Sequence, residues 1–166
     1  MNNLWAPWRM QFIEDLRDTA RGCVFCELCA AGEDRARLVL ARHPHAYIVM
    51  NRYPYNSGHL LIVPHRHVSA LTALGSEEHG ELMKLTGHSV DILMRVLNAE
   101  GANCGINMGK AGGAGIVDHV HIHVVPRWCG DTNFMPIISD TRSMPEYLEN
   151  TYDRLVGEFK KLSDIQ

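Results

Sequence analysis

Seven consecutive residues, His119-Val120-His121-Ile122-His123-Val124-Val125, alternate imidazole and aliphatic side chains before the run ends on a second valine. On an extended strand alternate side chains share a face. The three histidines would then point one way, and Val120, Ile122 and Val124 the other way, into a core. A helix would scatter the same histidines around its circumference. The pattern therefore calls for a sheet with one chemically equipped face and one buried face.

The rest of the composition is that of an ordinary globular chain: 166 residues, 46% hydrophobic, 21% charged and a net charge of -3. This argues against disorder and against a broad basic face for nucleic acid. It fits one domain spanning residues 1–166. No apolar run reaches the roughly 18 residues of a membrane helix. Met1–Met10 has no apolar signal core. The expectation is a soluble cytoplasmic protein without a membrane or nucleic-acid partner. Three of the five cysteines fall together at Cys23, Cys26 and Cys29, which reads as metal or redox chemistry rather than a disulfide framework.

Periodicity predicts a short helix over Trp8–Arg17, strands at Leu38–Arg42 and Ala46–Met50 joined as a hairpin, and a strand over His59–Val63 stopped by Pro64. Ser76 followed by Glu77 and Glu78 predicts the start of the longest helix, with Gly101 as its stop. Strands are expected at Cys104–Met108 and Val117–Val125, the latter closed by Pro126. Ser143-Met144-Pro145-Glu146 fits a capping box for a last helix carrying Leu148, Tyr152, Leu155, Phe159 and Leu162. Hairpin-linked strands with few intervening helices predict an α+β fold. His43, His45, His79 and His88 are expected at the surface or in turns.

Three imidazoles on one face could bind a transition metal, or one neutral imidazole could act as a nucleophile while its neighbours orient it. A metal hydrolase usually wants a carboxylate nearby, and Asp118 points to the opposite face, which favours the nucleophile. The loop Gly109-Lys110-Ala111-Gly112-Gly113-Ala114-Gly115 leads into the histidines, where its backbone N–H groups could cradle a phosphate. It is neither a Walker loop nor a Rossmann fingerprint, because no Gly-Lys-Ser/Thr occurs and a strand follows.

In this combination the histidine run resembles the signature of the histidine triad family. The resemblance extends through Cys23-Val24-Phe25-Cys26, Asn51, Ser57-Gly58-His59-Leu60-Leu61-Ile62-Val63-Pro64, Asn107-Met108-Gly109 and Pro126-Arg127, and implies a core at about 23–136 with extensions at 1–22 and 137–166. Leu4-Trp5-Ala6-Pro7-Trp8-Arg9 points toward the bacterial diadenosine polyphosphate phosphorylases and hydrolases of the fragile-histidine-triad branch. The resemblance implies an antiparallel sheet of about five strands, one long central helix and a C-terminal helix. It implies nucleotidyl transfer or hydrolysis at an α-phosphate, most readily of diadenosine polyphosphates. His121 would be the nucleophile, passing through a covalent nucleotidyl-histidine, with His123 and His119 beside it. Asn107, Gly113, Ala114 and Gly115 would contact phosphate, and Asn51 the ribose. Gly115 and Ile116 stand where many relatives carry Gln and Ser or Thr, so one side-chain contact is missing here.

The resemblance further implies a structural zinc held by Cys23, Cys26, His67 and His119, with His65 as the rival to His67. It also implies a homodimer joined through the central helix and a flanking strand. Trp128 and Phe134 are expected near the active site or the partner copy. Two alternatives remain at this point: a nucleotide-binding sensor or scaffold with little turnover, and a nucleoside phosphoramidase or adenylylsulfatase.

Overall fold

A computed structural model of the chain describes residues 22–30, 32–131 and 146–163. Helices α1 (Val24–Ala30) and α2 (Asp34–Arg37) precede strands β1 (Val39–Arg42), β2 (Ala46–Met50) and β3 (Leu60–Pro64). A single 3-10 turn then leads into α3 (Ser76–Leu97). β4 (Gly101–Gly105), β5 (Ile122–Arg127) and α4 (Leu148–Ser163) follow. The strands form one antiparallel sheet in the order β1-β2-β3-β5-β4.

β2 and β3 are buried at every position, because both faces of the sheet are covered. On one face Ile48, Leu60, Ile62, Val120, Ile122 and Val124 pack under α3 and α4. On the other face Val39, Tyr47, Val49, Leu61 and Val63 pack with Phe25 of α1. The hydroxyl of Tyr47 donates to the Phe25 carbonyl at 2.8 Å and ties α1 to the sheet. Val120, Ile122 and Val124 thus face the helices, as the alternation required.

α3 buries Leu82, Leu85, Ile92, Leu93 and Leu97, spaced for one face of a helix. Its N-cap is Gly75 rather than the expected Ser76. The cap is made from below: the Glu78 carboxylate accepts the Gly75 N–H at 2.6 Å and pairs with Arg66. The helix ends at Asn98, whose backbone is left-handed (φ 52°), so Asn98 takes the role expected of Gly101, and Gly101 instead opens β4.

β4 lies earlier than the expected 104–108, because its partner is the far half of β5: Gly101 faces Arg127 and Gly105 faces His123. β5 likewise runs later than expected and passes through Pro126. Proline is tolerated there because its ring nitrogen and carbonyl lie on the same side of the strand, away from β4. Asn56 donates to that carbonyl at 3.1 Å. The residues before Ile122 leave the ladder, and Val120 is held instead by its N–H to the Val68 carbonyl at 2.7 Å.

α4 buries Tyr152, Leu155 and Phe159 as predicted. It begins at Leu148, while the expected cap at Ser143, the Trp8–Arg17 helix and Phe134 lie outside the described residues. Trp128 packs against the helix-side core. Gly58 adopts φ 79°, and a Cβ there would come within 2.5 Å of Leu97. Glycine lets the Tyr53–Gly58 turn press onto α3 and deliver the next residue, His59, into the sheet's interior.

Candidate active site

The antiparallel register brings the chemistry together. Leu61 of β3 pairs with His123 of β5, so residues of equal parity on both strands share a face. His59 therefore lies on the histidine face, although it is far from the triad in sequence. It is fully buried, and its Nε2 is 2.9 Å from His123 Nδ1.

Hydrogen-bond acceptors fix which nitrogen of each ring carries the proton. His121 Nδ1 lies 2.9 Å from the His119 carbonyl, so Nδ1 donates and Nε2 keeps the lone pair. His59 Nδ1 accepts the Tyr55 backbone N–H at 3.0 Å, so its Nε2 donates to His123 Nδ1. That leaves the His123 proton on Nε2; Asn107 Nδ2, 3.5 Å away, is itself a donor and does not accept it. His119 donates from Nε2 to the Pro64 carbonyl at 2.9 Å, which leaves its Nδ1 lone pair facing the cysteines. Packing holds the rings in place. Phe25 lies 4.8 Å from His121, centroid to centroid, and Tyr55 stacks on His123 with an interplanar angle of 18°.

Burial pushes His59 down to about 3, with His123 and His121 adding to the effect. Burial also lowers His121, against the opposing pull of the His119 carbonyl. Both are therefore neutral near pH 7.

A cavity of about 400 Å³ opens over this face. Of the expected site residues, Asn51, Asn107, Gly113, Gly115, His121 and His123 line it. His119 does not; it is fully buried beneath, with one ring nitrogen on Pro64 and the other toward the cysteines. Ala114 does not line it either, and its N–H is used within the loop, on the Gly109 carbonyl. The Gly113 N–H is also used within the loop, on Lys110. The loop is wound tightly at Gly112, where a Cβ would sit 2.3 Å from the Met108 carbonyl.

Cys23, Cys26, His67 and His119 converge, with their four ligand atoms all within 4.8 Å of one another. Cys23 Sγ and Cys26 Sγ lie 3.4 and 3.7 Å from His119 Nδ1, and Cys26 Sγ lies 3.4 Å from His67 Nδ1. A tetrahedral zinc with bonds of about 2.3 Å to sulfur and about 2.0 Å to nitrogen has ligand–ligand edges of about 3.5 Å. The four residues fit that ion. The Pro64 carbonyl on the far side of His119 is the outer partner a metal-bound imidazole needs. The rival, His65, is engaged elsewhere: its Nδ1 meets Cys29 Sγ at 3.0 Å and its Nε2 donates to the His43 carbonyl.

A HIT domain matches residues 33–129 of the sequence. The chain belongs to the HIT family. It is 36% identical to the AP-4-A phosphorylase of Mycobacterium tuberculosis (strain CDC 1551 / Oshkosh) over 168 residues, which cover 97% of this chain and 86% of that protein. Its fold is similar to that of a Zn-bound histidine triad family protein from Mycobacterium smegmatis, with a TM-score of 0.69 and 27% identity. That match covers 87% of this chain and 98% of the other. It is also similar to Plasmodium falciparum diadenosine triphosphate hydrolase in a complex with Cyclomarin A. There the TM-score is 0.60 and the identity 26%, covering 75% and 78% of the two chains.

In this HIT protein Phe25 and His59 stand within stretches that carry the family resemblance, but neither they nor Tyr55 are among the residues expected at the site. His59 also heads the apolar run Leu60–Val63.

The neutrality of His59 has a consequence for stability. In the unfolded chain this residue takes up a proton near pH ~6.5. In the folded chain it does so only at about 3. Between those values the unfolded state binds more protons, so stability falls as pH falls through the window. Urea midpoints should drop between about pH 7 and about pH 5, above most carboxylate titration. His59→Gln should make that drop smaller, the remainder coming from His43, His119 and His121, which burial also lowers. An equal drop in wild type and variant would contradict the assignment.

Proposed function

We propose that this chain cleaves dinucleoside polyphosphates at an α-phosphate through a nucleotidyl intermediate on His121, with inorganic phosphate as the favoured acceptor. The observation that carries this reading is the bond from His121 Nδ1 to the His119 carbonyl, which aims a neutral Nε2 lone pair into the cavity. In the first step Nε2 forms a bond to phosphorus. The bond from phosphorus to the bridging oxygen breaks, and its electron pair leaves with the polyphosphate. His123, with its proton on Nε2, donates to phosphoryl oxygen as charge builds there. In the second step a phosphate oxygen attacks the same phosphorus, the nitrogen–phosphorus bond breaks, and a nucleoside diphosphate leaves. The Gly115 backbone and Asn107 border the reacting phosphate, and Asn51 the ribose. Phosphate as acceptor is supported by the phosphorylase that aligns along nearly the whole chain. Hydrolysis by water is the second reading, supported by the fold shared with a diadenosine triphosphate hydrolase.

The Cys23, Cys26, His67 and His119 set would hold a structural zinc. A bound ion would cross-link the start of α1 to the segment leading into β5, a structural role. The same proposal includes a homodimer. The edge strand β4, whose outer side has no strand beside it among the described residues, would pair with a second copy. No helix among the described residues is long and apolar enough to cross a membrane. Five free cysteines suit a reducing cytoplasm.

Incubation with diadenosine tetraphosphate and phosphate should give ADP and ATP. His121→Ala should abolish turnover while AMP still binds. AMP and ATP as products, whatever the phosphate concentration, would make water the acceptor. Retained turnover in His121→Ala would overturn the mechanism, and tight AMP binding with no turnover of any nucleotide conjugate would make the protein a sensor. A native mass spectrum of protein purified without chelator should show two chains carrying one zinc each. A metal-free single chain would refute both the metal and the dimer.

A further inference from the structure

The cavity extends well beyond the histidines. Across the sheet His123 lies opposite Leu61, Leu61 opposite Val49, and Val49 opposite Val39. This line crosses three strand spacings, about 14 Å at about 4.8 Å each. Arg37 closes its far end. It is the last residue of α2, where Leu38 turns the chain in a left-handed conformation (φ 61°) into Val39. His121, His123, Leu61, Val49 and Arg37 all line the one cavity.

The middle of that cavity is apolar, walled by Val24, Phe25, Leu28, Val49 and Ile116. A nucleotide whose phosphorus meets His121 lays its ribose next and its flat base beyond, between those walls. The base's outer edge then faces Arg37.

Arg37 has donors to spare. A guanidinium carries five N–H donors and no acceptor. Its Nε is sealed from solvent and has no acceptor among the described residues. Its nearest acid, Glu33, stands 4.0 Å away, outside hydrogen-bond range. The side chain as a whole is 38% exposed and reaches water, so the unmet donor is Nε alone, and a buried donor left unmet costs free energy until a ligand brings an acceptor.

We propose that Arg37 reads the base of the bound nucleotide and favours a 6-oxopurine, guanine or hypoxanthine, over adenine. A 6-oxopurine offers O6 and N7 side by side, two acceptors that match the guanidinium fork. Adenine offers N7 beside an amino group, so one donor faces another. The inference rests on the proposed nucleotide chemistry of this cavity and assigns its base preference.

The test compares full-length wild type with Arg37→Met, which keeps most of the aliphatic stem. Binding of GMP, IMP and AMP is measured by calorimetry, and kcat/KM on the diguanosine, diinosine and diadenosine tetraphosphates. Wild type should favour the 6-oxopurines about fivefold or more, the low end of bidentate base discrimination. Inosine should match guanosine, because it lacks the 2-amino group but keeps O6. Arg37→Met should bring the ratio close to one by weakening GMP and IMP while leaving AMP nearly unchanged. A wild type that prefers adenine or ignores the base overturns the proposal. So does a variant that weakens GMP and AMP equally, as it would if Arg37 held a phosphate. Selective GMP binding without cleavage of any tetraphosphate would sustain the base preference and remove the proposed reaction instead.

Discussion

One residue, His119, makes three bonds on which the site depends. Its carbonyl accepts the proton of His121 Nδ1, its Nε2 donates to the Pro64 carbonyl, and its Nδ1 faces Cys23 and Cys26. The first bond sets the tautomer of the residue proposed to attack phosphorus. The second holds the His119 ring against the end of β3. The third joins the same ring to α1, which also carries Phe25 against both His119 and His121. Moving His119 would turn the lone pair of His121 away from the cavity, because a neutral imidazole has a single acceptor nitrogen.

The sheet supplies the remaining constraint. A one-residue slip of β5 against β3 would place the histidines in the helix-packed core and the valines in the cavity. That slip is opposed from both sides. Ile122 and Val124 are buried under α3 and α4, while His59 holds His123 from the adjacent strand. The fully buried His59 is tolerated because it is neutral and paired at both ring nitrogens. The backbone donor of Tyr55, which meets the outer nitrogen of His59, closes that chain of bonds.

Patterns local in sequence were legible. The alternation of residues 119–125, the turn formers before Gly58 and the apolar stripe of α3 each reported their own structure. Of the four residues that converge on one point opposite Pro64, the cysteine pair was visible in its spacing, whereas His67 and His119 came from the family resemblance. What the sequence hid depends on register between distant strands. Nothing near His59 announces that it faces His123, and nothing near Arg37 announces that it shares a cavity with His121. Local errors had local causes. Gly75 caps α3 because the Glu78 side chain reaches back to its N–H. The shift of β4 toward residue 101 follows from pairing with the far half of β5, which extends past Pro126.

The central claim is that fixed acceptors leave His121, alone among the histidines lining the cavity, with its lone pair on Nε2. Long-range nitrogen–proton correlation spectra of the nitrogen-15-labelled protein at neutral pH report the tautomer of each imidazole directly. The account predicts a proton on Nδ1 for His121 and on Nε2 for His59, His119 and His123. A proton on Nε2 of His121 would contradict it.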